Sequence, residues 1–138
     1  MNEIAEDIKD LLEQDGIGVF ASTKDSEWSI QTTEEPPTPN NTITIYNTGG
    51  RLLKYHDVAP KESPTFQLRV RGPDTLTTSA KLEQCCVALR RRGLFTLNGA
   101  KYKNIFQDGL KIPLAKDGNG RFIWVANFTA FRENDPDA

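Results

Sequence analysis

The feature that most restricts the fold is the run Phe66-Gln67-Leu68-Arg69-Val70-Arg71. Apolar and polar residues alternate there without a break, and successive side chains of a strand point to opposite faces of a sheet. The run is therefore a strand with Phe66, Leu68 and Val70 toward a core and Gln67, Arg69 and Arg71 facing out. A slip of one residue would reverse every side chain, so this strand sets the register of its neighbours. A chain of 138 residues, 37% hydrophobic and 26% charged, has material for one such core, and a single domain over residues 1–138 is expected.

The remaining elements are read around that strand. Residues 2–14 carry Ile4, Ile8, Leu11 and Leu12 at helical spacing with Glu3, Glu6, Asp7, Asp10 and Glu13 on the other faces, which describes an amphipathic helix. Asp15-Gly16 stops it, and residues 17–21 read as a short buried strand. Residues 28–32 form another. Glu34-Glu35-Pro36-Pro37-Thr38-Pro39 cannot enter a central ladder and reads as a surface loop. Thr42-Ile43-Thr44-Ile45-Tyr46 is a strand with Ile43 and Ile45 on one face. Thr48-Gly49-Gly50 then breaks it, and Pro60 and Pro64 argue against a long regular element before Phe66. Residues 49–64 are thus expected to form a long excursion, a place to look for a partner surface.

After Gly72-Pro73, Asp74 is a natural N-cap for a second helix running to about Arg92, with Leu76, Ala80, Val87 and Cys86 as its buried stripe. Asn98-Gly99 marks a tight turn, residues 102–107 a strand, Ile112-Pro113-Leu114 an edge segment, and Asp117-Gly118-Asn119-Gly120 a turn into a long strand over residues 121–132. Apolar residues occupy both faces of that last strand, so it is either central or turned toward another subunit. Residues 133–138 read as a frayed acidic tail. The fold class is α+β, a mainly antiparallel sheet with two helices packed against it.

Charge and chemistry narrow the function. Seventeen basic and nineteen acidic residues leave a net charge of −2, too little to draw the whole chain onto nucleic acid or an anionic membrane. No apolar run spans a bilayer, and the acidic start MNEIAEDIKD is unlike a signal peptide, so a cytosolic protein is expected. The adjacent cysteines Cys85 and Cys86 cannot make a structural zinc site with one histidine elsewhere, and read as reduced helix residues. That histidine, His56, has no serine or cysteine motif beside it. Glu34-Glu35 and Asp135/Asp137 read as solvating charges. Gly49-Gly50-Arg51 lacks the frame of a phosphate loop, and Asp117-Gly118-Asn119-Gly120 lacks the further ligands of a calcium loop. Arg90-Arg91-Arg92 suits a helix C-terminus. No catalytic, cofactor or metal site emerges; Arg69 and Arg71, on one strand face, could instead pair with carboxylates of a neighbouring copy.

The order of these pieces carries a resemblance. Pro-Pro-Thr-Pro-Asn-Asn leads into Thr-Ile-Thr-Ile-Tyr-Asn-Thr-Gly-Gly, Phe-Gln-Leu-Arg-Val-Arg-Gly runs into a helix, and Asp-Gly-Asn-Gly-Arg-Phe opens a strand ending Asn-Phe-Thr-Ala-Phe-Arg. From about Ile4 to Arg132 the chain resembles the tail terminator proteins of long-tailed bacteriophages, some of which are called minor capsid proteins. The resemblance implies a virion protein assembled in the host cytoplasm, without a cofactor. It implies a ring, typically of six copies, that caps the tail tube, stops its polymerisation and meets the head connector while DNA passes through the lumen. By the same resemblance the subunit or partner interface draws on Gln67, Arg69 and Arg71 of the alternating strand and on Arg51, Lys54 and Tyr55 of the loop after Tyr46. Two other readings remain at this level. A head-completion or neck protein would share these features, and a small nucleic-acid-binding regulator would use Arg69, Arg71 and residues 90–92.

Overall fold

The alternating run lies in the second half of a longer strand, β4 (Lys61–Gly72), which pairs antiparallel with β3 (Thr42–Leu53) on one side and β8 (Phe122–Asn134) on the other. The computed structural model describes residues 2–53 and 61–134. Phe66, Leu68 and Val70 are fully buried, as the alternation requires. They lie with Ile43, Ile45, Ala126 and Phe128 under two helices, α1 (Ile4–Gln14) and α2 (Thr75–Arg90). Phe66 stacks on Phe128 with ring centroids 5.0 Å apart.

The other strands are β1 (Val19–Phe20), β2 (Ser29–Gln31), β5 (Phe95–Leu97), β6 (Ala100–Gln107) and β7 (Ile112–Leu114). They extend the sheet in the order β1-β2-β3-β4-β8-β6-β5, with β7 paired to the first part of β8. The fold is α+β, but the sheet is mixed: β1 and β2 pair in parallel, and so do β2 and β3. This corrects the expectation of a mainly antiparallel sheet. The reason lies in the connection: residues 32–41 do not turn back in a hairpin but recross the sheet before β3 begins, so β3 sets off in the direction of β2.

Several local expectations are also revised. Residues 17–21 do not form a buried strand; only Val19 and Phe20 pair, both exposed at the sheet edge, while Ile17 is buried. The described parts of the excursion, residues 49–53 and 61–64, are strand, with a bulge between Asn47 and Gly49. Gly50, at φ +121°, lies opposite Pro64, and a Cβ there would come within 2.2 Å of the Ser63 carbonyl oxygen. Glycine is what lets a proline-bearing strand pair at this point. Residues 54–60, with Lys54, Tyr55, His56 and Pro60, lie outside the described residues.

On α2, Asp74 caps the helix as expected, accepting from the Thr77 amide at 2.7 Å. The buried stripe is Thr78, Leu82, Cys85, Cys86 and Leu89, rather than Leu76, Ala80 and Val87; Leu76 is 80% exposed. Thr78 fixes this rotation. Its hydroxyl donates to the Asp74 carbonyl at 2.6 Å and sits so close to Gly72 that a Cβ there would meet it at 2.4 Å. At the other end of the chain β8 is a central strand between β4 and β6 and includes Glu133 and Asn134, which were expected in the tail.

Candidate assembly surfaces

One face of the sheet, the front, carries α1 and α2; among the described residues the back face carries no helix. Part of the back is covered by residues 33–40, which form a strap held by arginines. Arg69 donates from Nε to Glu35 Oε2 at 2.9 Å, and Arg71 Nη1 lies 3.1 Å from Glu35 Oε1. Arg71 also donates from Nη2 to the Pro39 carbonyl at 2.7 Å, and Arg121 donates to the Pro37 carbonyl at 2.5 Å. The Glu35 amide donates to the Tyr46 hydroxyl at 3.2 Å. Beneath the strap Thr42, Thr44 and Arg71 are buried. Burial pulls the Arg71 guanidinium below the usual arginine value, Glu35 opposes that pull, and the like charge of Arg121 adds to it.

These contacts revise the outward-facing row read from the sequence. Arg71 does not project to solvent: it is buried and ion-paired within its own chain, because the strap folds back over it. Arg69 shares the same carboxylate. Glu35 is accordingly a clamp rather than a solvating charge. Gln67 is half-buried and donates to Asn127 Oδ1 across β4 and β8 at 3.1 Å. Arg51 is exposed on the extended β3–β4 hairpin and borders a recess of about 510 Å³ between that hairpin and the start of α1, together with Glu3, Asn47, Leu52 and Glu62. Lys54 and Tyr55 lie outside the described residues. The structure thus joins Arg69 with Arg71, sets Gln67 two residues along the same face, and holds Arg51 apart on the hairpin.

A second cluster, on the front, was not read from the sequence. Asp7 is buried under α1, where it accepts from the Tyr102 hydroxyl, from Asn98 Nδ2 at 2.8 Å and from Arg132 Nη1 at 3.2 Å. Arg132 also reaches Glu62 at 2.5 Å. Burial, and then the hydrogen bond to Asp7, push the Tyr102 phenol well above its ordinary value. Asp7 follows Ile4 by three residues and precedes Leu11 by four, so helical spacing alone puts it on the apolar stripe. That spacing was the available signal, and the charge hid it.

Beyond the strap the back face is open. Near the ends of β6 and β8, Phe106 and Phe131 meet edge to face at 5.6 Å and floor a recess of about 380 Å³ rimmed by Lys61, Lys103, Asn104 and Glu133. Phe106 is 47% exposed, and Ile112 and Leu114 of β7 are exposed farther along. Apolar side chains grouped on a bare sheet face are a feature of surfaces that meet a partner.

The chemistry available elsewhere is limited. Cys85 and Cys86 are unpaired, buried thiols, pushed by burial up to about 12 and about 11 respectively. Among the described residues there is no group of three or more histidine, cysteine or carboxylate side chains able to hold a metal, and no helix long and apolar enough to cross a membrane. Arg69, Arg71, Arg90 and Arg92 each pair with a carboxylate of the chain itself, so these arginines are not a reserve of free cations for phosphates. A family profile described as Bacteriophage tail terminator protein matches residues 11–134. No curated protein matches the chain.

Proposed function

The chain belongs to the bacteriophage tail terminator family, whose members are structural parts of the virion rather than enzymes, and from that premise we propose that it assembles into a ring that ends the tail tube. The ring caps the tube, stops its polymerisation and presents a docking face to the head connector. The observation that carries the proposal is the family match, which runs from within α1 to the last residue of β8 and so takes in the whole sheet.

The physical chemistry is in keeping with it. A ring is built from copies that meet through two different surfaces, and a chain with net charge −2 approaches its own copy with little long-range repulsion. The half-bare back face and the extended β3–β4 hairpin supply surface for such meetings. A lumen through which DNA slides is served by arginines already paired with the chain's own carboxylates, since free cations would grip phosphates. The test is to add the purified chain to polymerising tubes of the same phage and measure tube length by electron microscopy. Tubes that stop growing, with the chain found at one end, are the expected result. Unchanged tube growth with the chain bound only to purified connectors would instead favour a neck protein.

A further inference from the structure

We propose that neighbouring copies meet head to tail, with the Val19–Phe20 edge of one copy seated in the Phe106–Phe131 recess of the next. The proposal rests on the ring reading above and adds the two surfaces that meet.

The recess has an apolar floor and a positive rim. Lys61 and Lys103 border it with one carboxylate, Glu133. Glu133 holds Lys61 and Lys103 only loosely, at 3.9 and 3.7 Å. Whatever covers this recess should offer an apolar side chain flanked by carboxylates.

The chain's own surface has such a feature. Val19 and Phe20 are 44% and 41% exposed on the edge strand β1. Beside them α1 presents Glu6, Asp10 and Glu13, with Glu13 Oε2 accepting from the Phe20 amide at 3.0 Å. The one lysine there, Lys9, lies 4.6 Å from the Phe20 ring centroid and is tied to Glu6 and Asp10 at 3.1 and 3.2 Å. Three carboxylates to one lysine, around an exposed aromatic, mirror the recess in sign.

Position agrees with chemistry. β1 is the first strand in the sheet order, while β6 lies next to the opposite edge. Two unlike patches at separate places on a subunit, one on the back face and one beside α1 at the first strand, are what a head-to-tail contact needs, and repeating that contact closes a ring when the rotation from copy to copy divides a full turn. The contact would also cover an open sheet edge, which proteins otherwise shield from unwanted pairing.

The test is sedimentation velocity on the full chain and on four variants at exposed positions, each checked for native circular dichroism. Phe106→Asp and Phe20→Asp should each abolish the assembled species. Lys103→Glu and Glu13→Lys should each raise the concentration needed for assembly by about tenfold. An equal mixture of K103E and E13K chains should assemble like the wild type, because alternating copies restore opposite charges at every contact. If folded F106D and F20D chains assemble normally, these surfaces are wrong and the ring reading survives. A wild-type chain that stays monomeric overturns both. Loss of assembly in K103E that E13K neither shares nor rescues would mean that the recess meets a different surface of the next copy, and would overturn the pairing.

Discussion

On its front face the sheet is sealed by α1 and α2 over an apolar core, with charge admitted at the Asp7–Tyr102–Arg132 cluster; on its back face the seal is a strap of loop that stops part-way across. Both faces use arginine against carboxylate, but in different settings. Asp7 is fully buried beneath a helix and meets three partners. Glu35 sits on a loop and keeps part of its surface in water. A buried ion cluster strongly opposes the loss of one member, because the charge left behind cannot reach solvent. A loop clamp has water in reserve. The core side of the front is therefore closed by the chain's own helices, while the back is covered only where the strap lies, and the Phe106–Phe131 end stays open.

Variants can break that contrast. The largest loss of stability is expected for Asp7→Ala, which leaves the Tyr102 hydroxyl without its acceptor under α1 and Arg132 with Glu62 as its remaining carboxylate, and should cost about 3 kcal/mol, read as a lower urea midpoint at unchanged slope. Glu35→Ala should cost less, about 2 kcal/mol, because the Arg71 left behind keeps the Pro39 and Asn40 carbonyls and the loop over it can open to admit water, with faster amide exchange confined to residues 33–40. Equal losses from the two variants would erase the distinction between the faces. Phe106→Ala should cost the isolated subunit about 1 kcal/mol or less, since the ring is already half in water; a loss as large as that of a core phenylalanine would mean that the back face is closed after all.

The smallest effect concerns acid. Asp117 accepts from the Arg121 and Asn119 amides, with the Arg121 guanidinium at 2.7 Å, and these bonds hold its carboxyl below the ordinary range. A carboxyl depressed in the folded state contributes stability that is present above the ordinary carboxylate value and lost as pH falls through the folded one. Because Arg121 also donates to the Pro37 carbonyl, acid should loosen that end of the strap, and Asp117→Asn should flatten the response. Amide exchange of the strap, followed downward from about pH 5, reads the difference.

Much of the front was legible in the sequence. The alternation at residues 66–71 fixed which side chains enter the core, the stripe Ile4, Ile8, Leu11 and Leu12 marked α1, and Asn98-Gly99 marked a turn that the structure confirms with positive φ at both residues. What stayed hidden depends on contacts between distant segments. Arg71 looks like a surface arginine until Glu35 and Pro39, more than thirty residues earlier, are folded over it. Alternation also says nothing of direction, so the parallel pairing of β1, β2 and β3 was invisible. Gly49, Gly50 and Pro64 read singly as breakers, yet as a bulge and an opposed pair they let the hairpin extend. Of the interface residues inferred from the resemblance, Arg71 is buried within its own chain, whereas Phe131, on the last strand read as apolar on both faces, and Phe106, which was not singled out, floor the open recess.

The central claim is that the subunit is completed by others of its kind at the end of a tail tube. Sedimentation of the wild-type chain over a concentration series, alone and with polymerising tubes, tests it most directly. A closed oligomer, and tubes whose growth stops when it is added, are the expected result. A monomer at every concentration, with tubes that keep growing in its presence, would contradict it.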